Sequence, residues 1–260
     1  MAVDEALVEA VDTEISAPVL RLYRWQPPCL SLGFSQAYAA ADAEFCATHG
    51  VDVVRRPTGG RAVLHHLELT YSVLAPLGKG PFSHDLQAAY RTICRALVAG
   101  LGTLGVPAGL SGEPEGGHIG PTEAIPCFIG PAAGEVVALG RKLVGSAMRR
   151  HGGSILQHGS ILEGWDGGLQ AGCLGLEDDG ELRRAVVTLT DLLGAPPRRE
   201  VLAEAIAAGL AESLGVSFVP LGLTPEEGAR ARLLARERYD HPRWTVHRDG
   251  ALGADGAAGA

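Results

Sequence analysis

One segment of the chain, residues 55–73, combines a basic glycine-rich turn with strand-like sequence on both sides. A β-branched run at 51–54 leads into the turn, and apolar and polar residues alternate after it over 69–73, a pattern typical of strands. Gly59 and Gly60 permit a close approach of backbone to a ligand, with arginines at the edge. A Gly-Gly pair after Pro57-Thr58 is equally ordinary in a hairpin turn. The segment therefore predicts sheet strands joined by a loop that either binds a ligand or only turns the chain.

Periodic patterns elsewhere predict helices interspersed with strands. The predicted helices are residues 2–12, residues 39–49, a leucine-rich stripe from Leu86 to Leu104 with Ser83 as its N-cap, residues 198–214, and a last helix that a Thr224-x-x-Glu227 capping box opens and that runs to about Tyr239. Residues 135–147 predict a hairpin that turns at Gly140, and residues 154–162 predict another strand. Residues 111–123 are rich in glycine and proline and predict a surface loop. The order of these elements predicts an α+β (mixed α/β) domain in which helices pack on a mixed β-sheet.

The length and the composition restrict the domain organisation. A chain of 260 residues can bury a full core. We expect one catalytic domain over residues 1–245, ending in a short helical segment, and a disordered Gly/Ala-rich tail over residues 246–260.

Charge and cysteine usage exclude several classes of protein. The net charge of −8 disfavours broad binding to nucleic acid, which needs clustered positive charge. The five cysteines are widely spaced and form no CxxC pair, so they predict neither a disulfide framework nor a zinc site. No apolar run approaches the roughly 18 residues that a membrane span requires. We expect a protein of the reducing cytoplasm that binds no membrane.

Three side chains are candidates for chemistry. Cys127 follows the glycine- and proline-rich segment, and an exposed thiol there suits a nucleophile; an adventitious loop cysteine is an equal alternative. Lys142 follows the Gly140 turn among small residues and is either a group that favours a nearby thiolate and moves a proton, or an exposed hairpin lysine. His158 lies in the strand 154–162, where a structural, hydrogen-bonded histidine is the commoner case. The other four cysteines, Cys29, Cys46, Cys94 and Cys173, have no comparable setting.

Motifs of other enzyme classes do not occur in this sequence. It contains no Gly-x-x-x-x-Gly-Lys-Ser/Thr phosphate loop, no Gly-x-Ser-x-Gly elbow and no His-Glu-x-x-His helix. His65 and His66 are adjacent, and in a strand they face opposite ways, so they cannot form a metal pair together.

Eight motifs in a fixed order make the chain resemble the biotin/lipoate protein ligase superfamily, and within it the cysteine-dependent octanoyltransferases of the LipM type. The resemblance covers about residues 1–245. Its motifs are Met1-Ala2-x-Asp4-Glu5-Ala6-Leu7, Leu20-Arg21-x-Tyr23-x-Trp25, Leu30-Ser31-Leu32-Gly33, Arg56-Pro57-Thr58-Gly59-Gly60-Arg61-Ala62-Val63-Leu64-His65, Glu68-Leu69-Thr70-Tyr71-Ser72-Val73, Cys127-Phe128, Gly140-Arg141-Lys142-Leu143-Val144-Gly145-Ser146-Ala147 and Leu156-Gln157-His158-Gly159-Ser160.

The resemblance implies octanoyl transfer in lipoate biosynthesis by a two-step mechanism. Cys127 takes octanoyl from the thioester of acyl carrier protein, and a lysine of a lipoyl-type acceptor domain, such as glycine cleavage H protein or a 2-oxoacid dehydrogenase E2, then receives it. Lys142 matches the family lysine that lowers the pKa of the cysteine and moves protons. The resemblance further implies that neither ATP nor a metal takes part. The substrate-binding residues that it implies are Arg56, Thr58, Gly59, Gly60, Arg61, Ala62, His65, Gly145, Ser146, Ala147, His158 and Gly159.

Two departures and two rival activities accompany this resemblance. His66 stands where the motif often has Asp, and Met148 stands where Gln commonly follows Gly-Ser-Ala. The rivals are an ATP-dependent lipoate–protein ligase, which has no need of a thiol at Cys127, and an amidotransferase that moves octanoyl between carrier domains. A catalytically silent carrier-binding protein is the alternative from a different class.

Arginines at 149–150 and between Arg230 and Arg243 predict a basic patch for acidic carrier proteins.

Overall fold

The computed structural model describes residues 1–112 and 134–248 of the 260-residue chain. The helices are α1 (Ala2–Asp12), α2 (Ala43–Thr48), α3 (Leu86–Gly102), α4 (Gly167–Cys173), α5 (Gly180–Ala185), α6 (Leu189–Leu193), α7 (Arg199–Leu214), α8 (Pro225–Leu234) and α9 (Pro242–Thr245). The strands are β1 (Val19–Tyr23), β2 (Cys29–Leu32), β3 (Asp52–Arg55), β4 (Val63–His65), β5 (Glu68–Pro76), β6 (Ala108–Leu110), β7 (Val136–Ala138), β8 (Arg141–Lys142), β9 (Val144–His151) and β10 (Ser154–Leu162).

The largest sheet is antiparallel, in the order β1-β5-β10-β9. Helices cover both of its faces, so β5 and β10 are buried along nearly their whole length. On one face Leu74 and Leu156 pack against α1. On the other face Tyr71 and Ile155 belong to a core shared with α3 and α7. The apolar stripe predicted from Leu86 onwards supplies that second layer.

A smaller sheet carries the glycine-rich segment. Its order is β3-β2-β4, with β2 parallel to β3 and antiparallel to β4. The loop of residues 56–62 connects β3 to β4, and α2 and α4 close the sheet with their own small core, which includes Leu30, Leu64 and Cys173. The predicted placement of the glycine loop between strands is confirmed.

The predicted hairpin at 135–147 is present, but its second arm is divided between two sheets. β7 and β8 pair about Gly140 in a three-stranded sheet with β6. After Leu143 the chain leaves that sheet, and β9 pairs with β10 in the largest sheet. Leu143 joins the two, since its amide donates to Val136 and its carbonyl accepts from Leu162. Lys142, just before Leu143, and Val144, just after it, therefore lie in different sheets.

Several predicted boundaries were wrong. The N-cap of α3 is Asp85, whose carboxylate accepts from the Ala88 amide; Ser83 is not the cap. The helix expected over 39–49 begins only after Asp42, which caps α2. By contrast, the capping box at Thr224 and the helix end near Tyr239 are confirmed; the turns over Ala235–Tyr239 are of the π type, and α9 follows as a further helix. The short helices α4 to α6 were not predicted, because each is held by burial of few side chains rather than by a long stripe.

The α+β fold class is confirmed. The predicted surface loop at 111–123 lies almost wholly outside the described residues. The boundary at residue 245 stays a prediction: the helical turns of α9 continue through Arg248 by backbone hydrogen bonds, and residues 249–260 lie outside the described part of the chain.

Candidate active site

A cavity of about 160 Å³ lies between the largest sheet and the β3-β2-β4 sheet, with β8 at its border. Its walls come from the glycine loop, from β2 and β4 of the small sheet, from β1 and β5, and from β8, β9 and β10. The lining residues are Met1, Tyr23, Ser31, Arg56, Gly60, Val63, His65, Thr70, Glu135, Lys142, Gly145, Ser146, Ala147, His158, Gly159 and Ser160. Elements spread over residues 1–160 therefore build one pocket with an apolar body and several polar groups, as small-molecule sites commonly have.

The glycine loop is held in shape by Arg56. This side chain is buried, and its guanidinium donates to the carbonyls of Ser31, Gly59 and Arg61 at 2.9, 2.8 and 2.6 Å. The loop lies directly on the chain after β2, where a Cβ on Gly33 would stand 1.7 Å from the Gly60 carbonyl oxygen. Gly60 has φ +91°, a conformation that glycine adopts readily. Arg56 thus organises the loop as well as bordering the cavity.

His158 joins the loop to α1. Its Nε2 lies 2.6 Å from the Thr58 hydroxyl, and its Nδ1 lies 3.9 Å from a carboxylate oxygen of Asp4. Burial lowers the pKa of His158, so the neutral ring is favoured. Burial alone raises the pKa of the Asp4 carboxyl, but the His158 ring and the Arg21 charge outweigh it and hold that pKa far below its usual range. The three side chains form a buried array behind the cavity.

A second array surrounds His65. Its Nδ1 lies 2.9 Å from Glu68 Oε1, and its Nε2 lies 2.8 Å from the Ser31 hydroxyl. The Trp25 ring stacks on the imidazole, with centroids 4.5 Å apart and planes at 19°. Trp25 also donates its indole N–H to Thr70 at 2.9 Å, and Thr70 in turn donates to Glu68. The imidazole is therefore fixed in position and in orientation.

Lys142 is buried, and its ammonium donates to Glu135 Oε1 at 2.7 Å. Both side chains border the cavity. Ser111 supports Glu135, because the Glu135 amide donates to the Ser111 hydroxyl at 3.0 Å and the Glu135 carbonyl accepts from the Ser111 amide. The alternative of an exposed hairpin lysine is wrong.

Where β10 lies between β5 and β9, the cavity wall is tightly packed. A Cβ on Gly159 would stand 2.6 Å from both the Gly145 carbonyl and the Tyr71 ring. The Tyr71 hydroxyl lies 2.7 Å from the Ser146 hydroxyl and accepts from Gln157 at 2.8 Å. Glycine at 159 is thus required by close approach of three strands.

Cys127 lies outside the described residues, and its role as the nucleophile stays a prediction. The other cysteines are buried thiols: burial raises the pKa of Cys29, Cys94 and Cys173 to about 12 and also raises that of Cys46. A high pKa and burial both disfavour the nucleophilic thiolate.

The structure gathers most of the predicted binding residues at the cavity. Those that line it are Arg56, Gly60, His65, Gly145, Ser146, Ala147, His158 and Gly159. Thr58 reaches the site only through His158, whereas Gly59 and Arg61 are exposed and Ala62 packs in the core of the small sheet. His66 also points away from the cavity, 4.0 Å from Asp166.

Sequence reasoning assigned no role to several residues of the site. They are Asp4, Tyr23, Ser31, Glu68, Thr70, Glu135 and Ser160. All of them except Glu135 lie in the motifs of the resemblance, and their place in those motifs could have marked them as site residues. Glu135 lies outside those motifs and was not identifiable from the sequence alone.

Sequence comparison decides the family. The profile of the family described as lipoyl protein ligase A/B catalytic domain matches residues 1–211. The chain belongs to this family. Within the family it is 43% identical to octanoyltransferase LipM of Kyrpidia tusciae over 244 residues, 90% of this chain and 89% of that protein. It is 36% identical to octanoyltransferase LipM of Symbiobacterium thermophilum over 264 residues, 95% of this chain and 93% of that protein.

Solved structures of this lipoyl ligase family share the fold. A lipoate-protein ligase A bound with ATP superposes with a TM-score of 0.77 at 25% identity, covering 94% of this chain and 92% of that chain. A bipartite lipoate protein ligase from Thermoplasma acidophilum gives a TM-score of 0.75 at 24% identity, covering 94% and 89% of the two chains. The predicted biotin/lipoate ligase-like architecture is confirmed.

Residues 1–112 and 134–248 contain neither a group of metal ligands nor a helix suited to a membrane. Within those ranges no three His, Cys, Asp or Glu side chains are grouped so that they could hold a metal ion. No helix in the same ranges is both long enough and apolar enough to cross a bilayer.

Proposed function

We propose that this protein is an octanoyltransferase that moves octanoyl from acyl carrier protein to a lysine of a lipoyl-type domain. The observation that carries the proposal is the identity of 32–43% to octanoyltransferases LipM along most of the chain. A cavity with an apolar body supports it, because each buried CH₂ of an acyl chain contributes about 0.8 kcal/mol.

In the proposed first step Cys127 is the nucleophile. Its sulfur attacks the carbonyl carbon of the carrier thioester, a new C–S bond forms, and the bond to the phosphopantetheine sulfur breaks. The thiol proton passes through Lys142 to the departing sulfur. The placement of the Lys142 ammonium in the cavity wall, held by Glu135, supports this role.

ATP-dependent ligation is the rival activity, since the structural neighbours include a ligase that binds ATP. The transferase is favoured because the curated relatives are octanoyltransferases and because a thioester is already activated. We propose that no ATP or metal is consumed.

The proposed protein partners are octanoyl acyl carrier protein and a lipoyl-domain acceptor, such as glycine cleavage H protein or a 2-oxoacid dehydrogenase E2. Arginines beside the glycine loop support an acidic partner. Arg149 donates to the Pro57 carbonyl at 2.9 Å and lies over the Phe34 ring. Phe34 packs on Trp244, and the guanidinium of Arg238 lies over the Trp244 ring as well. The two predicted groups of arginines are therefore joined through two aromatic rings.

The test is the intact mass of the protein after incubation with octanoyl carrier protein without ATP, beside a Cys127→Ser variant. We expect an octanoyl adduct on the wild type that hydroxylamine removes and that the variant lacks. Acylation of a lipoyl domain only when free octanoate and ATP are supplied, with no adduct, would overturn the transferase in favour of a ligase.

A further inference from the structure

Ser31, His65 and Glu68 form a hydroxyl–imidazole–carboxylate array at the cavity, separate from Lys142. The two bonds, 2.8 Å from Ser31 to His65 and 2.9 Å from His65 to Glu68, match the arrangement by which a carboxylate orients a histidine and the histidine acts on a hydroxyl. Ser31 and His65 both line the cavity.

The partners assign the tautomer of His65. Glu68 is buried, and as a carboxylate it can only accept, so Nδ1 of His65 carries the proton. Nε2 then accepts from the Ser31 hydroxyl. On its other side the Ser31 oxygen accepts from the Arg56 guanidinium at 3.1 Å. A base and a cation thus act on the same hydroxyl, which favours transfer of its proton to His65.

The second half of the proposed reaction needs a base of this kind. A free lysine side chain has a pKa near 10.4 and is protonated at pH 7, so an acceptor lysine must lose a proton before it attacks a thioester. The ion-paired Lys142 is itself a cation and already has a proton to move in the first step.

We propose that His65, oriented by Glu68 and acting through Ser31, takes the proton from the acceptor lysine, an inference that rests on the proposed function. The acceptor ammonium gives one proton to the Ser31 oxygen while the Ser31 proton moves to Nε2. The neutral amine forms a C–N bond with the thioester carbonyl, and the C–S bond breaks. The second amine proton leaves with the sulfur, which becomes a thiol, and His65 releases its proton to water.

Other charges around the cavity define the setting of this base. The remaining titratable or charged groups that border it are the amino group of Met1 and the side chains of Tyr23, Arg56, Glu135, Lys142 and His158. The negative charge of Glu68 is the direct partner of the imidazolium that forms.

The experiment separates the two half-reactions in His65→Gln. Loading is the rate at which the octanoyl adduct forms from octanoyl carrier protein. Transfer is the rate at which the isolated adduct acylates a lipoyl domain of a 2-oxoacid dehydrogenase E2. We expect transfer at pH 7 to be slower by a factor on the order of 100 and loading to be slowed far less. Between pH 7 and 9 variant transfer should rise nearly tenfold per unit, because only the neutral amine reacts, and wild-type transfer should rise less.

Two further variants complete the design. Glu68→Gln keeps His65 but removes the charge that stabilises its protonated form, so it should also slow transfer and spare loading, and it serves if His65→Gln does not fold. His66→Gln is the matched control, because the neighbouring histidine is half-buried and does not border the cavity.

Equal slowing of loading and transfer, or a transfer rate with an unchanged pH dependence, would overturn the role of His65 as a base while leaving the transferase intact. Absence of any adduct on the wild type would overturn the proposed function and this inference with it.

Discussion

The ammonium of Lys142 and the carboxylate of Glu135 lie 2.7 Å apart in the cavity wall, with side-chain exposures of only 6% and 12%. Glu135 precedes β7, and Lys142 ends β8, the strand paired with it. A hairpin therefore presents an anchored cation to the site. A buried ion pair is weak evidence for net stability, so we interpret this pair as placing the charge rather than as stabilising the fold.

Lys142→Met and Glu135→Gln should not be additive in a double-mutant cycle. We expect a coupling free energy of about 1–3 kcal/mol from urea unfolding, because the two groups are in direct contact and little screened by water. The same cycle on Lys79 and Glu14, whose side chains are 60% and 74% exposed, should give a much weaker coupling. Equal coupling free energies in the two cycles would contradict the interpretation that the Lys142–Glu135 pair is shielded from water.

Gly159→Ala should destabilise the protein by about 1–3 kcal/mol, because the new methyl group meets the Gly145 carbonyl and the Tyr71 ring at 2.6 Å. Gly109→Ala, also in a strand, meets nothing within 4 Å and is expected to change stability by less than about 0.5 kcal/mol. Thermal or urea unfolding of the two variants measures these changes in the free energy of unfolding. Similar stability of the two would mean that the three strands can separate at this point without cost.

Asp4→Asn should lower stability at pH 7 by about 3 kcal/mol, since it removes a buried carboxylate that pairs with Arg21. The folded-state pKa of Asp4 is depressed. Its contribution is therefore complete above the unfolded pKa of about 3.9 and is lost as pH falls towards the folded pKa. Urea unfolding between pH 6 and pH 3 should show a steeper acid loss in the wild type than in the variant. An equal loss of stability with falling pH in the wild type and the variant would contradict the depressed folded-state pKa of Asp4.

Iodoacetamide should modify one cysteine of the native protein near neutral pH. The buried thiols with raised pKa values, Cys29, Cys46, Cys94 and Cys173, are expected to react slowly. The Cys127→Ser variant should then remain unmodified by intact mass, whereas the unfolded wild type should take up five labels, one for each cysteine. Rapid labelling of the native variant would contradict this expectation.

Reversing the charges of the exposed Arg150 and Arg243 to Glu should slow loading from acyl carrier protein, most strongly at low salt, because screening weakens the attraction of an acidic partner. Arg199→Glu, at the exposed start of α7, is the control for a change of charge elsewhere. A loading rate and salt dependence equal to those of wild type would remove the basic patch from the proposal.

Local sequence determined the parts of this protein whose physics is local. The stripe of α3 and the capping box of α8 follow from spacing along the chain alone. The strand–glycine loop–strand order was predictable for the same reason. The burial of Cys94 was predictable once its helix was identified. The family was predictable because its motifs retain their order.

Only the tertiary structure decided what surrounds the reacting groups. Glu135 meets Lys142 because β7 pairs with β8, and the fold of the whole chain then places this pair in the cavity wall. Ser31 meets His65 because β2 pairs with β4, and His158 meets Thr58 across 100 residues of sequence. Such contacts depend on which strands pair and which faces are buried, and those are set by the free energy of the whole core. The sequence alone therefore named most of the site's residues, and the fold determined which of them act on one another.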